Sequence, residues 1–373
     1  MTDSRERTGR RVVQWGRQGA VAALALGLTL PSAAMARGST VAVAPSPVIA
    51  TIPVGQGPLG VAVDSTAHRA YVTNSDEKTV SVIDTRRNAV VATIPAGQYP
   101  EAVAVDPAAH RAYVANFGDN TVSVLDTAHT AVVATIHVGQ IPSGVAVDPI
   151  AHRAYVANYG DNTVSVLDTR HTALVATIPV GTNPEGVAMD PAAHRAYVAN
   201  NDDNTVSVLD TRRNIVLATL PVGGAPTGVA VDPAVHRAYV TSLNDNTVSV
   251  LDTRRTAVVA TLPVGDTPTN VAVDPAAHYA VVSDQNDNTV SIIDTAHDAA
   301  VIIIDVGNYP EGVAVDPAAH RAYVANDKDN TVSVLDTSRD ADLDARRRSH
   351  RPSPRPDHPT ASPGRRADRD PQL

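Results

Sequence analysis

An all-β fold, a seven-bladed β-propeller of four-stranded antiparallel blades, is what the sequence predicts, and three observations carry it. The Asp of a phrase typified by GVAVD returns as Asp64, Asp106, Asp148, Asp190, Asp232, Asp274 and Asp316, always 42 residues apart. The Asp of SVLDT keeps step as Asp84, Asp126, Asp168, Asp210, Asp252, Asp294 and Asp336. Seven units therefore follow one another without insertion or deletion. Each unit holds four Val-rich runs bounded by turn residues, and four strands in about 40 residues is the size of a propeller blade. The 3.6-residue apolar period of a helical solenoid is missing.

The second unit shows the four runs in order. VAVD precedes the turn DPAAH, AYVAN precedes FGDN, TVSVLDT precedes AHT, and AVVATIHVG precedes QIP. The runs are β-branched and end at Gly, Pro, Asn or Asp, as strands do. The ends of the array say how the ring closes. The first run, VIATIPVG at 48–55, is a fourth-strand phrase, and the last, TVSVLDT at 331–337, is a third-strand phrase. If strand 48–55 completes the last blade, seven whole blades close the ring and no unit keeps an unpaired edge.

The literal YVTN at Tyr71 to Asn74, with YVAN, DNTVSVLDT and VVATIPVG elsewhere, resembles the YVTN β-propeller repeat family. The likeness runs over residues 48–337 and implies a propeller exported from a bacterial or archaeal cell, in several members as a surface-layer-type protein. The family has no single shared activity to carry over. Unit five departs from the motif with Ser242 in place of Asn. Unit six departs further, reading VVSD up to Asp284, with Tyr279 where other units have Arg.

Outside the ring the composition changes. Five arginines precede the apolar run AVAALALGLTL at 20–30, and SAAMA follows with Ala34 and Ala36 in the small-residue pattern of a cleavage site. Residues 1–36 are thus expected to be a signal peptide, the run being shorter than the ~20 residues a membrane span needs. Arg10-Arg11 leaves the twin-arginine route open beside the general one. Residues 37–47 read as a linker. The last 36 residues, 338–373, are rich in Arg and Pro with almost no apolar residue; they are expected to be disordered, with weak contact to an anionic polymer as the alternative. The chain has no cysteine, so disulfides and thiolate metal sites are excluded.

Residues present in every unit serve what every blade needs. Seven histidines, His68 to His320, each follow the first repeated Asp by four residues. The ring sets them far apart, so Asp-Pro-x-x-His reads as a turn rather than a metal site. The mid-strand tyrosines, Tyr71 among them, read as packing between blades with the hydroxyl meeting a partner at the rim. No phosphate-cradling Gly loop, nucleophile elbow or metal-binding His pair appears.

Loops of an up-and-down blade alternate between two faces. The face carrying the fourth-to-first and second-to-third loops, here called top, has two lysines against sixteen carboxylates. The bottom has thirteen arginines against fifteen aspartates. So negative a top face disfavours nucleic acid and favours cations or basic surfaces; Asp as an ordinary turn residue is the plainer reading. A ring of Ca²⁺ sites at Asp119, Asp161, Asp203, Asp245, Asp287 and Asp329 is a weaker option, because one short hairpin supplies too few oxygens.

The units differ most in the top loops. Tyr99, Phe117, Tyr159 and Tyr309 fall there, in blades two, two, three and seven, edged by Glu101 and Glu311. Tyr offers contact area at low entropic cost, so this arc is the candidate recognition surface. The leading expectation is a secreted, monomeric, non-enzymatic scaffold that binds a protein or an envelope glycan, with no cofactor and no metal. A lactonase- or lyase-type propeller is the alternative, with Glu101, Glu185 and Glu311 at the channel mouth as its acids. A structural surface-layer component is a third. His137, where other units have Pro, lies on an outer strand and is assigned no role.

Overall fold

The computed structural model describes residues 47–338. The expected signal peptide, the linker up to residue 46 and the tail from residue 339 lie outside the described residues. Within them are twenty-eight strands and no helix. They form seven four-stranded antiparallel sheets, six of them built from consecutive strands.

The seventh sheet is the closure expected from the array's ends. Strand Val48–Pro53 pairs with Thr331–Asp336, with Val48 opposite Leu335 and Pro53 opposite Thr331. The N–H of Val54 reaches Asn330 O at 3.0 Å, and the N–H of Asp336 reaches Pro47 O at 2.8 Å. The innermost strands of neighbouring blades lie against each other all round, that of blade 7 meeting that of blade 1. The approach is tightest where glycine stands, as at Gly144, whose added Cβ would lie 2.1 Å from Glu185 O, whereas blades 2 and 6 carry Ala102 and Asn270 at this position.

Each hydrophobic core lies between two blades. Tyr113, Val122 and Val124 of blade 2 pack on Val145, Ala154, Val156 and Leu167 of blade 3. Tyr323, Val332 and Val334 of blade 7 pack on Ala70, Val72 and Ile83 of blade 1, so the ring is sealed by the same apolar contact everywhere. Second and third strands are buried throughout, while fourth strands expose aliphatics such as Val91 and Val133 at the circumference.

Turns on the bottom face explain the repeated Asp and His. Asp106 Oδ1 accepts the N–H groups of Ala108 and Ala109, each at 3.1 Å. All seven turn histidines adopt left-handed φ of 49–56°. In that conformation the His110 carbonyl receives the N–H of Thr127 at 3.1 Å and links the two bottom turns of the blade. The histidines are structural, as the turn reading expects.

The tyrosines are more mixed. All six are essentially fully buried, and burial raises their pKa values, with Tyr155 at about 12. Tyr155 Oη donates to Thr211 O of the next blade at 3.3 Å, as expected of a rim partner. The hydroxyls of Tyr71, Tyr113, Tyr197 and Tyr323 make no such bond.

Candidate functional site

Two loops per blade build the top face, and the repeat controls their backbone. The residue before each invariant Pro has a left-handed φ: Gly57, Tyr99, Ile141, Asn183, Ala225, Thr267 and Tyr309, at 50–66°. That conformation is costly for a β-branched side chain such as Ile141. It is held by bonds from both sides. The Ile141 N–H donates to Asn120 Oδ1 of the preceding blade at 2.8 Å. The Ile141 carbonyl accepts the Tyr159 N–H at 2.9 Å. Tyr309 is held alike, its N–H on Asn288 Oδ1 at 2.8 Å and its carbonyl on the Asp327 N–H at 3.0 Å. Blade 1 has Lys78 where other blades have this Asn. Tyr99 is nevertheless left-handed and accepts the Phe117 N–H at 3.0 Å.

The aspartates of the second-to-third loops are occupied by the same framework. Asp119, Asp161, Asp203, Asp245, Asp287 and Asp329 each accept, through Oδ2, a backbone N–H from the adjoining top loop at 2.6–2.7 Å. Their repetition has a structural cause. No group of three or more His, Asp or Glu side chains placed to hold a metal occurs among the described residues.

The four aromatics are on this face. Tyr99 is exposed, and Phe117, Tyr159 and Tyr309 are half-buried. The Tyr99 ring lies over Gly118, where a Cβ would meet it at 2.8 Å. Lys328 Nζ stands 5.0 Å from the centre of the Tyr309 ring and 2.5 Å from Asp327 Oδ2. Its pKa is raised, chiefly by that hydrogen bond to Asp327. Blade 1 contributes only Gly57 and Ser75 at the equivalent positions. The arc is therefore two groups separated by one blade.

Glu101, Glu185 and Glu311 begin the innermost strands of blades 2, 4 and 7. Those blades are not neighbours in the ring, so the three glutamates occupy separate sectors of its inner edge. Glu311 is nearly buried, its Oε1 receiving Gln285 Nε2 of blade 6 at 2.5 Å. Ser283 Oγ donates to the Glu311 carbonyl, also at 2.5 Å. His137 is exposed on the outermost strand of blade 2.

One unusual group went unremarked as a site in the sequence. Asp284 stands where five other blades have Asn and blade 5 has Ser242, and it is fully buried. Burial pushes its carboxyl up to about 6, against the hydroxyls of Ser291 and Thr289, with Asp287 adding repulsion. The letter change was visible; its burial follows from the position being one of the least exposed in the blade.

No family model matches the chain, and no curated protein matches it. Among solved structures, a chain of Kuenenia stuttgartiensis hydrazine synthase is similar, with a TM-score of 0.69 and 22% identity over 82% of this chain and 99% of that one. At that identity the likeness bears on the fold alone. The chain is a seven-bladed β-propeller with a repeat-built ring and an acidic top face.

Proposed function

We propose that this chain is an exported, non-enzymatic propeller of the YVTN repeat type, and that its top face recognises a protein or an envelope glycan. One observation carries the reading. Seven repeats hold the same left-handed position before Pro, each with its carbonyl accepting an N–H from the facing top loop, yet the side chain there changes from blade to blade. A framework with constant backbone and varied side chains is how rigid scaffolds present recognition residues. Tyr99, Phe117, Tyr159 and Tyr309 supply aromatic area, Glu101 and Glu311 edge it, and the surrounding carboxylates favour a partner with basic or hydroxyl-rich character. The N-terminal Arg-rich and apolar stretch supports export, and the YVTN and DNTVSVLDT phrases support the family.

The test compares wild type with a variant in which Tyr99, Phe117, Tyr159 and Tyr309 are all changed to Ala. Both are assayed on isolated cell-wall material and on a glycan array. Binding by wild type that the variant loses, with melting temperatures alike, is the expected result. Equal binding by both would remove the aromatic arc as the site.

A further inference from the structure

We propose that the bottom face is a second binding surface, for a linear polyanion that carries no nucleobases. The formal count makes this face nearly neutral, but its two signs are not equally available. Its aspartates are turned inward and used. Asp84 Oδ1 accepts the N–H groups of Arg86 and Arg87 at 3.0 and 3.1 Å, and Oδ2 pairs with Arg69 at 3.0 Å. Burial opposes ionisation at Asp84, but these bonds outweigh it and bring its pKa to about 2. Asp126, Asp168, Asp210 and Asp252 hold their turns in the same way.

Seven of the thirteen arginines point outward, all of them in the third-to-fourth turns. Every complete third-to-fourth turn carries an exposed basic residue: Arg-Arg at 86–87, 212–213 and 254–255, Arg170-His171, His129 and His297. Side-chain exposure is 78% for Arg87 against 7% for its partner Asp84, and 79% for Arg255 against 12% for Asp252. The first arginine of each pair is also steadied. Arg86, Arg212 and Arg254 place Nη2 within 2.5–2.7 Å of Nε2 of His68, His194 and His236 in the same blade. One edge of each guanidinium is thereby held at an imidazole, and the other N–H groups remain for an oxyanion. Planar, partly ordered guanidinium groups match carboxylate and phosphate oxygens two at a time.

Two features select the partner. The cations are strung along the rim with blade periodicity, which suits a chain bearing repeated charges better than a small anion. All aromatic side chains of the described ring are either in the core or on the top face. The bottom therefore has no stacking platform of the kind that single-stranded nucleic acid uses. The last strand, Thr331–Asp336, ends on this face, and the sequence that follows contains ARRRSHRPSPRP.

The experiment measures binding of labelled polyphosphate, polygalacturonate and oligo(dT) to the full chain at several salt concentrations. Polyphosphate or polygalacturonate is expected to bind, and the tighter of them identifies the preferred oxyanion. Changing Arg212, Arg213, Arg254 and Arg255 together to Gln should weaken that binding about tenfold or more and flatten its dependence on log salt. Ala128→Arg converts the blade 2 turn to the Arg-His form of blade 3 and should strengthen binding about twofold through one added contact, a gain that misfolding cannot imitate. The top-face aromatic variant should bind as wild type does. Unchanged affinity in the four-arginine variant, loss confined to a variant with Arg346, Arg347 and Arg348 changed to Gln, or tighter binding of oligo(dT) would each overturn the proposal.

Discussion

In blade 3 the buried amide of Asn158 donates to Thr163 Oγ1 and Ser165 Oγ, both at 2.9 Å. In blade 6 the same place holds Asp284, whose Oδ2 instead accepts from Ser291 Oγ at 2.7 Å and Thr289 Oγ1 at 3.2 Å. The strands, registers and partners are equivalent, but the direction of every bond is reversed. Hydroxyls permit this because each can donate or accept. Blade 6 differs elsewhere too. Tyr279 replaces the arginine that in blade 3 pairs with Asp168 at 2.9 Å, and its hydroxyl goes to Asp274 Oδ2 at 3.2 Å. Val281 replaces the tyrosine, so blade 6 cannot repeat the Tyr155 bond to the next blade. The repeat thus conserves shape in the polar slot while leaving its ionisation free to change.

The largest expected effect is on that slot. The native carboxyl of Asp284 sits at about 6, above its ordinary value, so the native state holds its proton more tightly than the unfolded chain does. Its penalty is absent at low pH, grows as pH rises from about 4 to 6, and is complete above that. Asp284→Asn should therefore raise stability at pH 8 by up to ~3 kcal/mol, on the scale of 1.4 kcal/mol per pKa unit, and change little at pH 4. Urea unfolding at the two pH values measures this, and an equal gain at both would show that ionisation is not the cause.

The converse exchange sharpens the comparison. Asn158→Asp should destabilise blade 3 by ~2 kcal/mol at pH 8 and by less at pH 5, since it places a carboxylate in an equally buried slot. Unfolding followed at both pH values would expose a protein indifferent to the change. The acid limb should be common to wild type and both variants. Asp84 and Asp168 are held at about 2, so their stabilisation is present above the unfolded carboxylate range and is lost as pH falls towards 2. An acid-unfolding midpoint moved by either variant would contradict this assignment.

Blade 5 offers a smaller test. Ser242 Oγ and Thr247 Oγ1 are buried without a hydrogen bond, where blade 3 has its amide. Ser242→Asn should restore the arrangement and add about 1 kcal/mol; a lower denaturation midpoint would mean that the pocket has closed around serine. The smallest effect separates two tyrosines. Tyr155→Phe should cost about 0.5–1 kcal/mol for the lost bond to Thr211 O, and Tyr113→Phe close to nothing, by the ordinary worth of such bonds. Equal losses in thermal melts of the pair would show that both hydroxyls are bonded alike.

The scaffold was largely legible in the sequence because it is written seven times. Asp106 and its equivalents announce a turn by the company of Pro and His, and the run 48–55 announces closure by being out of place. The candidate surface was less legible. Tyr99 and Phe117 could be assigned to one face, but not the left-handed backbone that presents Tyr99. The gap in the arc at blade 1 was legible as well, since that unit has Gly57 and Ser75 at the corresponding positions. The bottom face misleads a simple count of letters, because Asp84 and Arg87 weigh the same in a sum although one is buried and the other exposed.

By itself the sequence determined the number of blades, the strands in each, and the strand that closes the ring, since these depend on a period and on local turn chemistry. Tertiary structure alone decided which charges face solvent, how Asp284 is ionised and which side chains meet across blades. Those properties arise from burial and from contacts between residues one repeat or more apart, and solvation energy depends on where a group lies rather than on which letter it is.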